Sequence, residues 1–189
     1  FVVVSAGNEG PLCSSITAPL AIYASALTVG AVDEAGNLAE FSSVGPVTVD
    51  ASGRTKPDVL APGVDVLSAW PESAYAEISG TSMVGPHLAG TVALMWSANP
   101  ALRGDIEGTR AIIQETAIPF HGELEGSVAS GDTPVSNTIV NSTAPLGEML
   151  EMAAGSCLAQ TNLNEVPNNA AGYGIVDVYA AVQAALALR

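Results

Sequence analysis

The stretch "SGTSMVGPHLAG" (Ser79–Gly90) places a Gly-Thr-Ser step directly before an apolar run that contains a proline. Leu88, Ala89, Val92, Ala93, Leu94, Met95 and Trp96 follow with almost no polar relief before Ser97. A run of this length and composition reads as a helix buried on nearly all sides. Ser82 then falls at or beside the helix N-terminus, where Pro86 is tolerated because first-turn N–H groups have no intrahelical acceptor. A serine in that place either caps the helix or is positioned to react.

The bulk composition narrows the setting. A chain of 189 residues that is 48% hydrophobic is one ordinary domain, with disorder excluded for most of its length. Five Lys and Arg stand against 19 Asp and Glu, a formal net charge of −14. That balance excludes nucleic acid and anionic membrane surfaces as partners. No apolar run reaches the roughly 18 residues that a membrane-spanning helix needs. Lysine is reduced to Lys56, which suits a secreted or a salt-exposed protein. Cys13 and Cys157 are far apart and form no C-x-x-C pair, and only His87 and His121 could join them, so a metal site is not expected. The two cysteines read either as a disulfide in an oxidising compartment, the preferred reading, or as two inert buried thiols.

Hydrophobic patterning alternates strand-like and helix-like segments. Phe1–Val4 is a continuous apolar run leading into Ser-Ala-Gly-Asn, the pattern of a buried parallel strand entering a loop. It starts as a strand with no beginning, which suggests a fragment. Ala26–Val32 repeats the pattern, and Val59 and Leu60 open a shorter strand. Helices are expected from about Gly80, from Asp105 to Thr116, and from Asp177, a plausible N-cap, to Leu188. Residues 127–145, rich in Ser, Thr, Asn and Pro, read as a solvated loop or insertion. The alternation predicts an α/β layer architecture with a mostly parallel sheet.

Three stretches now combine: "VVVSAGNEG" with Asn8, "KPDVLAPGVDVLSAW", and "YAEISGTSMVGPHLAG". In this order they resemble the subtilisin-like serine proteases, the subtilases. The resemblance covers Phe1 to about Ala117 and resumes at "GYGIVDVYAAVQAAL" (Gly172–Leu186). The segment from Pro11 to Pro46 is most similar to the bacillopeptidase F branch. The resemblance implies a three-layer α/β/α fold of which residues 1–189 form the C-terminal half. It also implies a serine endopeptidase acting on polypeptide substrates through an acyl-enzyme on Ser82. Asn8 would donate its side-chain amide to the oxyanion, where an aspartate would repel it, and Thr81 would add a further hydrogen bond. Gly80 would let the chain turn tightly beside the substrate, and the helix start would add free N–H groups where negative charge develops.

Other assignments follow from the same likeness. Ser5, Ala6 and Gly7 match one side of the primary specificity pocket and Ala18 falls near its floor; all are small and uncharged, which favours an apolar or large neutral side chain. His87 lies five residues past Ser82 on the same helix, where it cannot readily reach back, and matches a structural histidine that packs in the family's core. His121 reads as solvated, and Asp58 and Asp65 as turn residues. A Gly-x-Ser-x-Gly elbow does not fit, since Gly85 falls one position late. The family order of Asp, His, Ser places the acid and the base before Phe1, so the missing N-terminal half of the same domain is the expected partner, and residues 1–189 alone are expected to be inactive. No cofactor is implied within them, and calcium only for the complete protein. The alternative to an enzyme is a catalytically inactive subtilase-like binding or structural module, which intact Ser82 and Asn8 argue against.

Overall fold

The computed structural model describes residues 1–122 and 161–188. Three strands, β1 (Val3–Ser5), β2 (Leu27–Val32) and β3 (Val59–Pro62), form a parallel sheet in the order β1-β2-β3. Val29 of β2 stands opposite Ser5 on one side and Val59 on the other. β2 is the middle strand and all six of its residues are buried, as its unbroken "LTVGAV" requires. β1 is an edge among the described residues and is only half-buried. It starts two residues later than the apolar run suggests. Its ladder begins where Leu27 donates to the Val2 carbonyl (2.9 Å), and the Val2 side chain is exposed.

Helix α1 (Thr81–Ala98) crosses one face of this sheet. Val84, Leu88, Val92 and Met95 recur at helical spacing and pack on Leu27, Val29, Ala31, Val59 and Ala61, the residues that alternate onto that face. The helix is not buried all round: Ala89, Gly90, Ala93 and Leu94 are exposed, because no described residue covers the side turned from the sheet. Pro86 lies in the helix interior, beyond the first turn whose N–H groups lack acceptors, so the Ser82 carbonyl receives no main-chain donor from position 86.

Two shorter helices complete this layer. In α2 (Ile106–Glu115), the Asp105 side chain accepts from Gly108 N (2.9 Å); in α3 (Val178–Ala187), Asp177 accepts from Ala180 N (2.8 Å). Both carboxylates are N-caps; the sequence marks Asp177 as one, and Asp105 only as the start of its helix. Asn99, just beyond α1, donates to the Ala185 carbonyl at 2.9 Å and ties α1 to α3. The opposite face of the sheet, with Val32 and Leu60, is covered by chain around Leu38, Val44, Phe120 and Ala170.

A buried ionic cluster joins the strand starts. Lys56 is only 1% exposed; its ammonium donates to Asp58 Oδ2 (2.5 Å) and to the Ala26 carbonyl (2.8 Å). Asp58 also accepts from Thr28 N at 2.6 Å and faces Arg110 of α2 at 3.4 Å. Asp58 therefore does more than shape a turn. Burial pushes the Lys56 pKa down, against the opposing pull of the Asp58 charge.

One element has no counterpart in the sequence reading. β4 (Val66–Trp70) and β5 (Ala74–Ile78) form an antiparallel hairpin with Val66 opposite Ile78 and Trp70 opposite Ala74. Most of it is exposed, including Leu67, Trp70 and Tyr75. The expected loop at 127–145 lies outside the described residues.

Candidate active site

Gly80 stands at the junction between hairpin and helix. Its φ of +154° disfavours any L side chain, and its N–H donates to the Gly63 carbonyl at 2.8 Å. A Cβ there would lie 3.7 Å from Asn8 Nδ2, so the glycine also keeps space open beside that amide. Helix α1 begins at the next residue with no side-chain cap. Ser82 is its second residue and is exposed, so it is not the N-cap; its N–H belongs to the first turn, where intrahelical acceptors are lacking. Among the described residues no side chain hydrogen-bonds the Ser82 hydroxyl.

Asn8 reaches this helix start across 73 residues of sequence. Its Oδ1 accepts from Thr81 N (2.9 Å) and from Thr81 Oγ1 (2.9 Å). A main-chain N–H can only donate, which fixes the amide orientation: oxygen towards Thr81, nitrogen away. Asn8 Nδ2 keeps both hydrogens without a protein acceptor among the described residues. Thr81 Oγ1 in turn accepts from Gly7 N at 3.2 Å and is almost fully buried. Thr81 thus bonds to Asn8 and to its neighbour, a use of this residue that only the folded chain displays.

The other assigned residues fall around this loop. Ser5 ends β1, with its hydroxyl 3.9 Å from where a Cβ on Gly85 would stand. Ala6 is buried against Ile16, Ala21 and Val47, and its N–H bonds the Val29 carbonyl at 2.9 Å. Ala18 is exposed two residues beyond Ile16, so that packing brings its loop to the Ser5–Gly7 segment. This wall is not wholly uncharged. Glu9 lies over Gly7, where an added Cβ would collide with its carboxylate, and it accepts from Ser43 Oγ at 2.8 Å.

A cleft of about 370 Å³ lies between β4 and the first turns of α1, lined there by Ser82, Met83, Pro86 and His87. His87 is exposed on this wall, with its Nδ1 2.9 Å from the Met83 carbonyl one turn back. Position 87 falls on the side of α1 turned from the sheet, which no described residue covers. His121 is exposed after Phe120. Asp65 and Ser79 close the base of the hairpin, with Asp65 N donating to Ser79 Oγ (2.8 Å) and Ser79 Oγ to Asp65 Oδ1 (3.1 Å). Cys13 is half-buried against the Val32 and Leu38 cluster; Cys157 lies outside the described residues. Among the described residues no three His, Cys, Asp or Glu side chains are disposed to hold a metal, and no helix is long and apolar enough to cross a membrane.

The subtilase family matches residues 1–174, nearly the whole chain. This chain is a member of the subtilase family. Subtilisin BL of Lederbergia lenta is 38% identical over 135 residues, which are 69% of this subtilase and 46% of that protein. M-protease of Shouchella clausii is 44% identical over 135 residues, 69% of this chain and 32% of its own. The chain therefore spans less than half the length of these curated relatives. Among solved structures, the prenylagaramide maturation protease PagA aligns with a TM-score of 0.59 at 22% identity, over 96% of this subtilase and 49% of PagA. The patellamide maturation protease PatA gives 0.57 at 25%, again over about half its own chain (49%). The fold is subtilisin-like, a mostly parallel sheet with helices.

Proposed function

We propose that the complete protein is a serine endopeptidase in which Ser82 forms the acyl-enzyme and Asn8 donates to the oxyanion. One observation carries this reading: the Thr81 donors hold Asn8 Oδ1, which turns the unpaired Nδ2 out beside the start of α1. The Ser82 hydroxyl attacks the scissile carbonyl carbon, and the electron pair of the C=O bond moves onto oxygen. The Ser82 N–H, free of an intrahelical partner, and Asn8 Nδ2 then donate to that oxygen; both are fixed before the charge appears. Collapse of the intermediate expels the amine, and water releases the acid by the reverse sequence.

The proton of Ser82 needs a base that residues 1–122 and 161–188 do not offer. His87 faces its own helix carbonyl and His121 stands after α2. The proposal places the base and its carboxylate partner on the N-terminal half of the same domain. That half would pack on the β1 edge and on the exposed side of α1. Residues 1–189 alone are then silent towards peptides. Secretion, an oxidised Cys13–Cys157 pair and a likeness to the bacillopeptidase F branch belong to the same proposal. They are supported by scarce lysine, the acidic surface, the cysteine spacing and the Pro11–Pro46 segment. Calcium, which the family resemblance implies for the complete protein, is placed outside the described residues.

The test uses the complete protein. Ser82→Ala should remove peptide hydrolysis and fluorophosphonate labelling with the fold retained, a loss on the order of 10⁶-fold on a scale set by subtilisin itself. Asn8→Ala should lower kcat by about 10²–10³ and leave KM nearly unchanged, again on subtilisin's scale. Labelling that survives Ser82→Ala removes Ser82 from the role, and a raised KM with kcat intact reduces Asn8 to a pocket wall. Serine-dependent turnover by residues 1–189 alone would overturn the placement of the base.

A further inference from the structure

We infer that Ser43 is a positioning residue for catalysis, acting from behind the Asn8 loop; the inference rests on the oxyanion reading of Asn8. Ser43 is fully buried and 34 to 36 residues away in sequence from the loop it grips. Its N–H donates to the Gly7 carbonyl at 3.0 Å. Its hydroxyl accepts from Glu9 N at 3.0 Å and donates to Glu9 Oε2 at 2.8 Å. The main chain is thus held on both sides of Asn8, at Gly7 and at Glu9, by one residue. The seat is tight: Gly7 has a φ of +113°, and a Cβ there would come within 2.8 Å of Ser43 Oγ. One residue beyond Glu9, Gly10 N bonds the Phe41 carbonyl at 2.9 Å, so the loop runs along the 41–43 segment as along a template.

The hydrogen bonds to Asn8 divide into two sets with different work. Thr81 fixes the amide plane through Oδ1. Ser43 fixes the backbone from which that amide projects. Both are needed to keep Nδ2 at a set distance from the Ser82 hydroxyl, because rotation about the side chain and drift of the loop are independent motions. Losing the hydroxyl of Ser43 frees Glu9 N and the Glu9 carboxylate, which then relax into water. The loop is left on that side with the main-chain bonds at Gly7 and Gly10, neither of which holds Glu9, the residue directly after Asn8. An oxyanion donor displaced by a fraction of an ångström loses much of its value, while ground-state binding of the substrate is little affected.

A double-mutant cycle in the complete protein tests this, with kcat, KM and thermal unfolding measured for wild type, Ser43→Ala, Asn8→Ala and the double variant. Ser43→Ala is expected to lower kcat by about 10- to 100-fold at nearly constant KM, the scale on which small misplacements act. In the Asn8→Ala background the same substitution should change kcat by less than about two-fold, since there is no donor left to position. Ser43→Cys, which keeps a weak donor in the same place, should fall between the two and carries the cycle should Ser43→Ala not fold. Equal effects of the Ser43 substitution in both backgrounds would overturn the inference, as would an unchanged kcat with Asn8 in place. If Asn8→Ala alone leaves kcat intact, the oxyanion reading is what fails, and this one with it.

Discussion

The two walls on either side of Ser82 are built in opposite ways. The Ser5–Gly10 wall has little regular structure, yet Thr81 and Ser43 bond it to elements distant in sequence, and Ala6 sits in a buried cluster. The β4–β5 wall is a regular hairpin, but its ladder is internal, and beyond the Asp65–Ser79 pair its side chains stand largely in solvent. Regularity and fixity are therefore separate properties here. The irregular wall is the anchored one, as an oxyanion donor requires, while the regular wall is held mainly at its base.

The sharpest way to break this contrast is at the loop that continues the anchored wall. Removing the proposed bridge with Cys13→Ser or Cys157→Ser should lower the stability of the complete protein by about 4–5 kcal/mol in the chain-entropy account. Thermal unfolding under oxidising and reducing conditions checks it, and a Tm indifferent to both would show that no bridge anchors the wall. A smaller effect is expected at the hinge between the walls. Gly80→Ala forces a side chain into φ +154° without a steric clash, so its cost is backbone strain, about 1–3 kcal/mol. The same shift should lower kcat, because Gly80 sets the direction of both Ser82 and the Asn8 contact; chemical denaturation and steady-state kinetics on one preparation separate the two. Least is expected on the projecting wall. Leu67→Ser removes a side chain that is 62% exposed and should change stability by no more than about 0.5 kcal/mol. A loss of 2 kcal/mol or more in urea unfolding would mean that the hairpin is as anchored as the wall opposite.

The same contrast governs what could be read from the sequence. β2, β3 and all three helices were legible because each is a run of apolar residues with one period, and the cap Asp177 because an N-cap is a local event. The hairpin was not legible. Its turn, Pro71–Ser73, carries Glu72 and Ser73 at φ of +63° and +59° without the glycine or asparagine that marks such turns, and Ala69, Ala74 and Ala76 dilute the strand signal. Ser82 and Asn8 were visible through motif and spacing. Thr81 was named there too, though not its bonds to Asn8 and Gly7; the Ser43–Glu9 contact was not legible, since it spans 34 residues and nothing in the neighbourhood of Ser43 distinguishes it from Ser42. The apolar character of α1 was legible, but composition reports how apolar a helix is and not what covers each side, and no described residue covers the side turned from the sheet.

The cluster at Lys56 has a consequence for the molecule's exterior. Arg54 bonds the Ile22 carbonyl, Arg110 the Ser25 carbonyl and Lys56 the Ala26 carbonyl, so three of the chain's five cationic side chains spend their donors on one short loop. Among the described residues only Arg103 stands apart from that arrangement. The surface that meets solvent is consequently close to a pure polyanion, with a formal net charge of −14 and almost nothing interspersed to break up its field. Such a surface repels copies of itself and resists precipitation, and it draws mobile cations from the medium as a diffuse cloud. Added salt then relaxes the mutual repulsion of the carboxylates without touching the buried pairs, so ionic strength acts on this protein from the outside in.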